Sequence, residues 1–193
     1  MIEDVLTRGA SEAHESWLKA ERQGPGRMVR EKTRYTDIGV AGRLLSAVRF
    51  EKCVFTDSVL SSAHLQDAEL DRCTFQNCIL MLAKLHGAVI MACTFRDSSL
   101  VMMQAEDLRI KNGSFSFCDF ERAKVSNSHV DNADFVDCKW DHADLSGTRF
   151  RAAGFRNADL SQATLIGAHF QDCDLSDAML PEDHGATLIR CKL

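Results

Sequence analysis

The sequence predicts an all-β solenoid, a chain wound into coils of four short faces, and three observations predict it. Every fifth residue from Tyr35 to Leu180 is large and apolar or aromatic, with Ala105 the one small member. From residue 53 to 178 the position two earlier is Ala, Cys, Ser, Thr or Gly, except at Met103 and Leu108. Every twentieth position is more alike still: Tyr35, Phe55, Phe75, Phe95, Phe115, Phe135, Phe155 and Leu175 form one column that is aromatic until its last member.

A period of five excludes the two ordinary elements. A helix turns five residues through roughly 500°, which leaves successive large residues about 140° apart, and a straight strand throws them onto opposite faces. Within one pentapeptide, however, the small and the large residue are two apart and share a strand face, so both point inward if the chain then turns a corner. Repeated corners close a coil. The column from Leu60, with Phe120 and Trp140, differs from the aromatic-free column from Leu65, which is the signature of four distinct faces per turn.

Taken in order, residues 1–34 form an N-terminal cap. Ile2, Leu6, Ala10, Ala13, Trp17 and Ala20 recur at spacings of three or four, the stripe of an amphipathic helix, with Gly9 a possible break and the turn signal GlnGlyProGly at 23–26 ending it. Residues 35–180 are the repeat array, unbroken for 30 pentapeptides. Its one irregularity is at 101–115, where Met103 and Leu108 take small slots and Ala105 a large one; Met103 is suited to fill what Ala105 leaves. Residues 181–193 are a C-terminal capping segment. ProGluAspHisGly breaks the register there, and Cys191 and Leu193 restore the small-then-large spacing as a final partial coil.

Composition narrows the function classes. Hydrophobic residues at 45% and charged residues at 26% describe a chain that folds. No apolar run approaches the roughly 18 residues of a membrane span, and the N-terminus lacks a signal-peptide pattern, so a cytoplasmic protein without membrane contact is expected. The eight cysteines each precede a large apolar residue by two, which makes them buried, reduced core residues rather than metal ligands or disulfides. The seven histidines are dispersed and read as surface residues. No phosphate-binding loop, nucleophile elbow, metal motif or catalytic carboxylate pair is present, so no cofactor and no enzyme is expected.

The repeat unit AlaAspLeuSerGly at 143–147, AlaAspLeuSerGln at 158–162 and CysAspLeuSerAsp at 173–177 resembles the pentapeptide repeat family over about residues 35–180. The resemblance implies a right-handed quadrilateral parallel β-helix. With strands about 4.8 Å apart, it gives a rod on the order of 35 Å long.

The net charge of −5 is concentrated late. Residues 131–180 hold nine acidic against four basic side chains. Direct nucleic-acid binding is not expected, and a basic protein surface is. The chain also resembles the subgroup that protects DNA gyrase and topoisomerase IV from quinolones or natural poisons and is described as mimicking DNA. That resemblance implies a partner surface of outward acids: Asp119, Asp134, Asp137, Asp144, Asp159, Asp174 and Asp177. It also implies a homodimer through an end of the rod. The alternative is a scaffold that holds another protein through the N-terminal helix or the irregular coil at 101–115.

Overall fold

A computed structural model describes residues 8–20 and 27–193, with side chains from residue 12. It is a parallel β-solenoid of about eight turns preceded by one helix, Arg8–Lys19. Face 1 is a nine-stranded parallel sheet running from Val29–Glu31 and Arg49–Glu51 to His169–Gln171 and Thr187–Ile189. Face 2 is six-stranded, from Arg34–Thr36 to Asp134–Val136, and continues as single bridges through Gly154, Asp174 and Lys192. Faces 3 and 4 are columns of bridges, Gly39 to Met179 and Leu44 to Thr164. Register pairs such as Phe55 with Phe75 are twenty residues apart, as the longer period requires.

The core follows from the alternation. Large and small slots are both buried, and the aromatic column is a continuous stack, with ring centroids 4.7 Å apart for Tyr35 and Phe55, 4.9 Å for Phe95 and Phe115, and 5.1 Å for Phe135 and Phe155. Phe120 and Trp140 stack at 4.0 Å, and Phe150 and Phe170 at 4.7 Å. Each fully buried Leu or Phe contributes roughly 1.5–3 kcal/mol.

The corners carry a signal that the two inward periods do not. The residue two after each large one has positive φ at every repeat from Lys32 to Asp177, Gln162 excepted. Side chains that tolerate this left-handed conformation, such as Asp57, Asn77, Asn132 and Asp137, therefore recur there.

The small slots do more than fit. The Cys73 thiol donates to the carbonyl of Phe50 in the preceding coil at 3.4 Å, the Ser128 hydroxyl to Ala105 at 3.2 Å, and Thr148 to Val125 at 2.7 Å. Leu108 N–H in turn donates to Ser128 Oγ at 3.0 Å. These groups satisfy backbone atoms that the sheets leave over. Seven cysteines are buried and Cys191 is half-buried. Burial pushes the Cys78 thiol up, and that of Cys173 to about 11, so both hold their protons and are poor nucleophiles. Alkylation of the native protein is expected to label Cys191 first, with all eight thiols labelled after unfolding. Labelling of Cys93 or Cys118 ahead of Cys191, read by peptide mass spectrometry, would contradict the inward placement.

The irregular coil keeps its register. Gln104 bridges Lys84 and Lys124, and Met103, Ala105 and Leu108 are all buried. Volume is exchanged between Met103 and Ala105 without a bulge, leaving an apolar interior gap of about 10 Å³ along that part of the core.

Two sequence expectations about the first end change. Ala13 and Ala20 are exposed and the helix runs through Gly9 without a break, while Trp17 of the stripe turns inward together with His14, their rings stacked at 5.5 Å. His14 is not a surface residue: it is fully buried, its Nδ1 accepts from Met28 N–H at 3.0 Å, and its Nε2 lies 2.8 Å from the Ser46 carbonyl as donor. Histidine carries no apolar signal, so a stripe of apolar residues at helical spacing passes over it. Ile2, Leu6, the 23–26 turn and the side chain of Ala10 lie outside the described residues.

The stack begins before Tyr35, because Val29–Glu31 already pairs with Arg49–Glu51. It also outlasts Leu180. After the break at Pro181, Thr187–Ile189 pairs in parallel with His169–Gln171 and places Leu188 against Phe170, so the last segment extends the coil. Arg190 clamps it, with Nε and Nη2 donating to the two carboxylate oxygens of Asp172 at 2.6 and 2.7 Å. The Arg190 hydrogen bonds hold the Asp172 carboxyl below the usual carboxylate range. A depressed pKa stabilises the folded form above the ordinary carboxylate value, and that contribution is lost as pH falls through and below it. Amide protection of Ile189 to Lys192 is therefore expected to fall on acidification while that of the central coils persists. Equal loss across the rod would contradict a clamp at this end.

Candidate functional site

The acidic residues singled out by sequence are placed by the register on three faces. Asp119 and Asp159 lie on face 3, in the bridge column Asp119, Lys139, Asp159. Asp137 and Asp177 occupy left-handed corners where face 2 turns into face 3, two positions before Lys139 and Met179. These four alternate from coil to coil along one edge, so a carboxylate recurs about every 4.8 Å. Asp134 and Asp174 stand on face 2 beside that edge, with Gly154 between them. A Cβ at Gly154 would sit 2.5 Å from Asp134 Oδ1, so glycine is what lets that carboxylate lie over the next coil. Asp144 is on face 4, between Lys124 and Thr164, and does not join the others.

Much of the acid has a local cause. Oδ1 of Asp119, Asp144, Asp159 and Asp174 accepts from the backbone N–H two residues on, at 2.9 to 3.0 Å. These are Asx turns that close the corner. Asp137 accepts from Asn157 Nδ2 at 3.1 Å. Neutral Asn reproduces both roles, because its Oδ1 accepts equally and it tolerates the left-handed corner. Substitution by lysine would break the turns as well as reverse the charge.

Sequence reasoning missed two features of this surface. The first is Phe117, at the same corner column as Asp137 and Asp177. It is 55% exposed with a φ of 53°, at a position where the column otherwise has Asp or Asn. A large aromatic at a left-handed corner, with nothing covering it, is costly both in backbone strain and in exposed apolar area. The signal was available as the one break in that column.

The second is charge of the opposite sign in the same coils. On face 1, Arg109, His129, Arg149 and His169 stack in register beside Lys111, Asp131, Arg151 and Gln171. Their later members line a shallow trough of about 340 Å³. Arg151 pairs with Asp131 at 2.8 Å, whereas Arg109, Lys111 and Arg149 have no ion pair among the described residues. Of the nine acids in residues 131–180, Asp134, Asp137, Asp159, Asp174 and Asp177 thus lie on or beside one edge, and Asp131, Asp141, Asp144 and Asp172 lie elsewhere around the rod. No group of three metal-ligating side chains occurs among the described residues, and no described helix is long and apolar enough to cross a membrane.

Twenty-residue turns, four inward columns and an outer surface free to vary define the class: a four-sided parallel β-solenoid that presents side chains in straight rows. Models of pentapeptide repeats match residues 135–179 and, in overlapping segments, 44–77, 58–97 and 114–151. The chain belongs to the pentapeptide repeat family. Among solved structures it is similar to a trypsin-treated form of QnrB1, a plasmid-mediated fluoroquinolone resistance protein. That match has 19% identity, covers 86% of this chain and 83% of that one, and has a TM-score of 0.53. It is also similar to HetL, involved in heterocyst differentiation regulation in the cyanobacterium Nostoc, at 18% identity, 91% coverage of each chain and a TM-score of 0.49. No curated protein matches the sequence. At these identities the likeness is one of fold.

Proposed function

We propose that this protein is a non-enzymatic, cytoplasmic protein-binding rod that engages a type II DNA topoisomerase such as gyrase as a local mimic of DNA and relieves its poisoning. The observation that carries this reading is the edge formed by Asp119, Asp137, Asp159 and Asp177. Its carboxylates recur about every 4.8 Å, against about 3.4 Å between phosphates of one DNA strand. The edge is a sparse strand rather than a duplex, and Lys139 within it lowers the density further. Exposed Phe117 supplies what a purely electrostatic row lacks, an aromatic anchor of the kind that dominates binding energy. The interior is filled by its own side chains, which favours surface binding over catalysis.

Supercoiling by gyrase in the presence of a quinolone, and separately of a natural-product poison, tests the reading. Added protein is expected to restore supercoiled product with at least one of them. No rescue with either, together with no binding to gyrase, would overturn it.

The cationic face 1 favours a second reading, a scaffold that contacts proteins on more than one side. A partner retained when Arg109, Lys111 and Arg149 are intact and lost when they are neutralised, with gyrase unaffected, would select it.

A further inference from the structure

We infer that cationic face 1 and the acidic edge between faces 2 and 3 are each other's partners: a second copy of this chain lays its edge along face 1, with the two rods antiparallel. Both surfaces are built on the same coil rise, about 4.8 Å, so rows on one copy keep step with rows on the other over many coils. Both are also two columns wide, with the columns two residues apart in the chain. On face 1 the columns are those of Arg109 and Lys111. At the edge they are those of Phe117 and Asp119.

The order of charges along the columns selects direction and register. Two parallel rods wind in the same sense, so where they face each other the lateral order is reversed and the Lys111 column meets the Phe117 column. Asp131 then opposes Asp137 in step, and a slip of one coil either way opposes Arg109 or Arg149 to Lys139. Turning one rod end over end brings the Lys111 column against the Asp119 column, read in descending order. With Asp131 opposite Lys139, Lys111 meets Asp159 and Arg151 meets Asp119, three pairs of opposite charge in three consecutive coils. A slip of one coil from there sets Asp131 against Asp119 or Asp159. The same register continues past the charges: Gln171 meets Ser99, and exposed Met91 and Ile189 meet exposed Met179 and Ile79. In the other column Arg149 lies over the exposed ring of Phe117, a cation–π contact, and His129 and His169 meet Asp137 and Asp97.

Exposed ion pairs add little affinity each, whereas like charges opposed in other registers fix the geometry. The association is therefore weak, reversible and sensitive to salt. The two patches differ, so the contact is heterologous: the second copy still offers its face 1 and the first its edge. Growth continues past the dimer as an open row of rods, each reversed relative to the last. The same carboxylates carry the topoisomerase reading, under which the dissociated chain is the active form.

Sedimentation velocity of the full chain over a concentration series tests this, at low ionic strength and at about 1 M salt, where the screening length falls to about 3 Å. The weight-average coefficient is expected to rise with concentration beyond the dimer value at low salt and to stay at the monomer value at high salt. Lys139→Glu, which sets a carboxylate against Asp131, should weaken association at least about tenfold with an unchanged melt, and Asp131→Lys added to it should restore it. Under mild oxidation a mixture of Gln171→Cys and Ser99→Cys chains should give a disulfide joining these two positions, identified by peptide mass spectrometry. Gln171→Cys mixed with Thr164→Cys, on face 4, should not. A monomer at every concentration at low salt, association insensitive to Lys139→Glu or not restored by the double variant, or equal cross-linking to positions 99 and 164 would overturn the assignment. None of these measurements contains gyrase, and rescue is read where the chain is monomeric, so either reading can fail alone.

Discussion

Phe115→Ala is expected to lower the unfolding free energy by about 3–5 kcal/mol, read from the denaturant midpoint. The ring lies between Phe95 and Phe115's other neighbour Phe135, at 4.9 and 4.8 Å, and is tilted against Phe120 at 5.8 Å. Removing it deletes apolar burial, as any large-to-small substitution does. The further loss comes from the backbone, because Ser114 and Ser116 are hydrogen-bonded in register to the coils on both sides and fix the spacing. The gap cannot close, so the cavity persists. In a linear array whose coils touch only their neighbours, the same lesion also tends to split the transition into two parts. A change below about 1 kcal/mol would mean that the aromatic stack is not what holds the coils together.

His14→Ala is expected to detach the N-terminal helix at a cost of about 2–4 kcal/mol of local stability. It leaves Met28 N–H and the Ser46 carbonyl without their side-chain partner, and an unsatisfied buried group costs roughly 1–3 kcal/mol. Trp17 should then become solvated, which shifts its fluorescence to the red while Trp140, stacked on Phe120 inside the rod, provides a constant background. The lesion is local, so the main transition of the solenoid should move little. An unshifted spectrum would mean that packing by Trp17 alone seats the helix.

The interior was legible because a solenoid repeats one constraint many times. Each inward slot meets the same two neighbours, so Phe55, Phe75 and Phe95 announce themselves together and Met103 stands out against them. The ends are met once, and His14 therefore left no periodic trace: its burial depends on two backbone groups, at Met28 and Ser46, far away in sequence. The outer surface was legible only by column. Asp119 and Asp159 share a row and Asp144 does not, but a charge count over residues 131–180 leaves out Asp119 and mixes Asp159 with Arg149 and Arg151 on the opposite face. Phe117 was hidden for another reason. Each corner is a left-handed site with its own narrow preference, which becomes visible only once the backbone conformation is known, and departures from that preference carry information.

The row of carboxylates at the corner of faces 2 and 3 is the centre of the functional reading. Its most direct test is the affinity for gyrase of the native chain and of the variant carrying Asp119→Asn, Asp137→Asn, Asp159→Asn and Asp177→Asn. Asparagine keeps the turn hydrogen bonds and the corner conformation, so the melting temperature should stay within about 2 °C while the charge is gone. The expected result is native binding that weakens with salt and an affinity at least about tenfold lower in the variant. Equal binding by the two, or no binding by the native protein, would contradict the account.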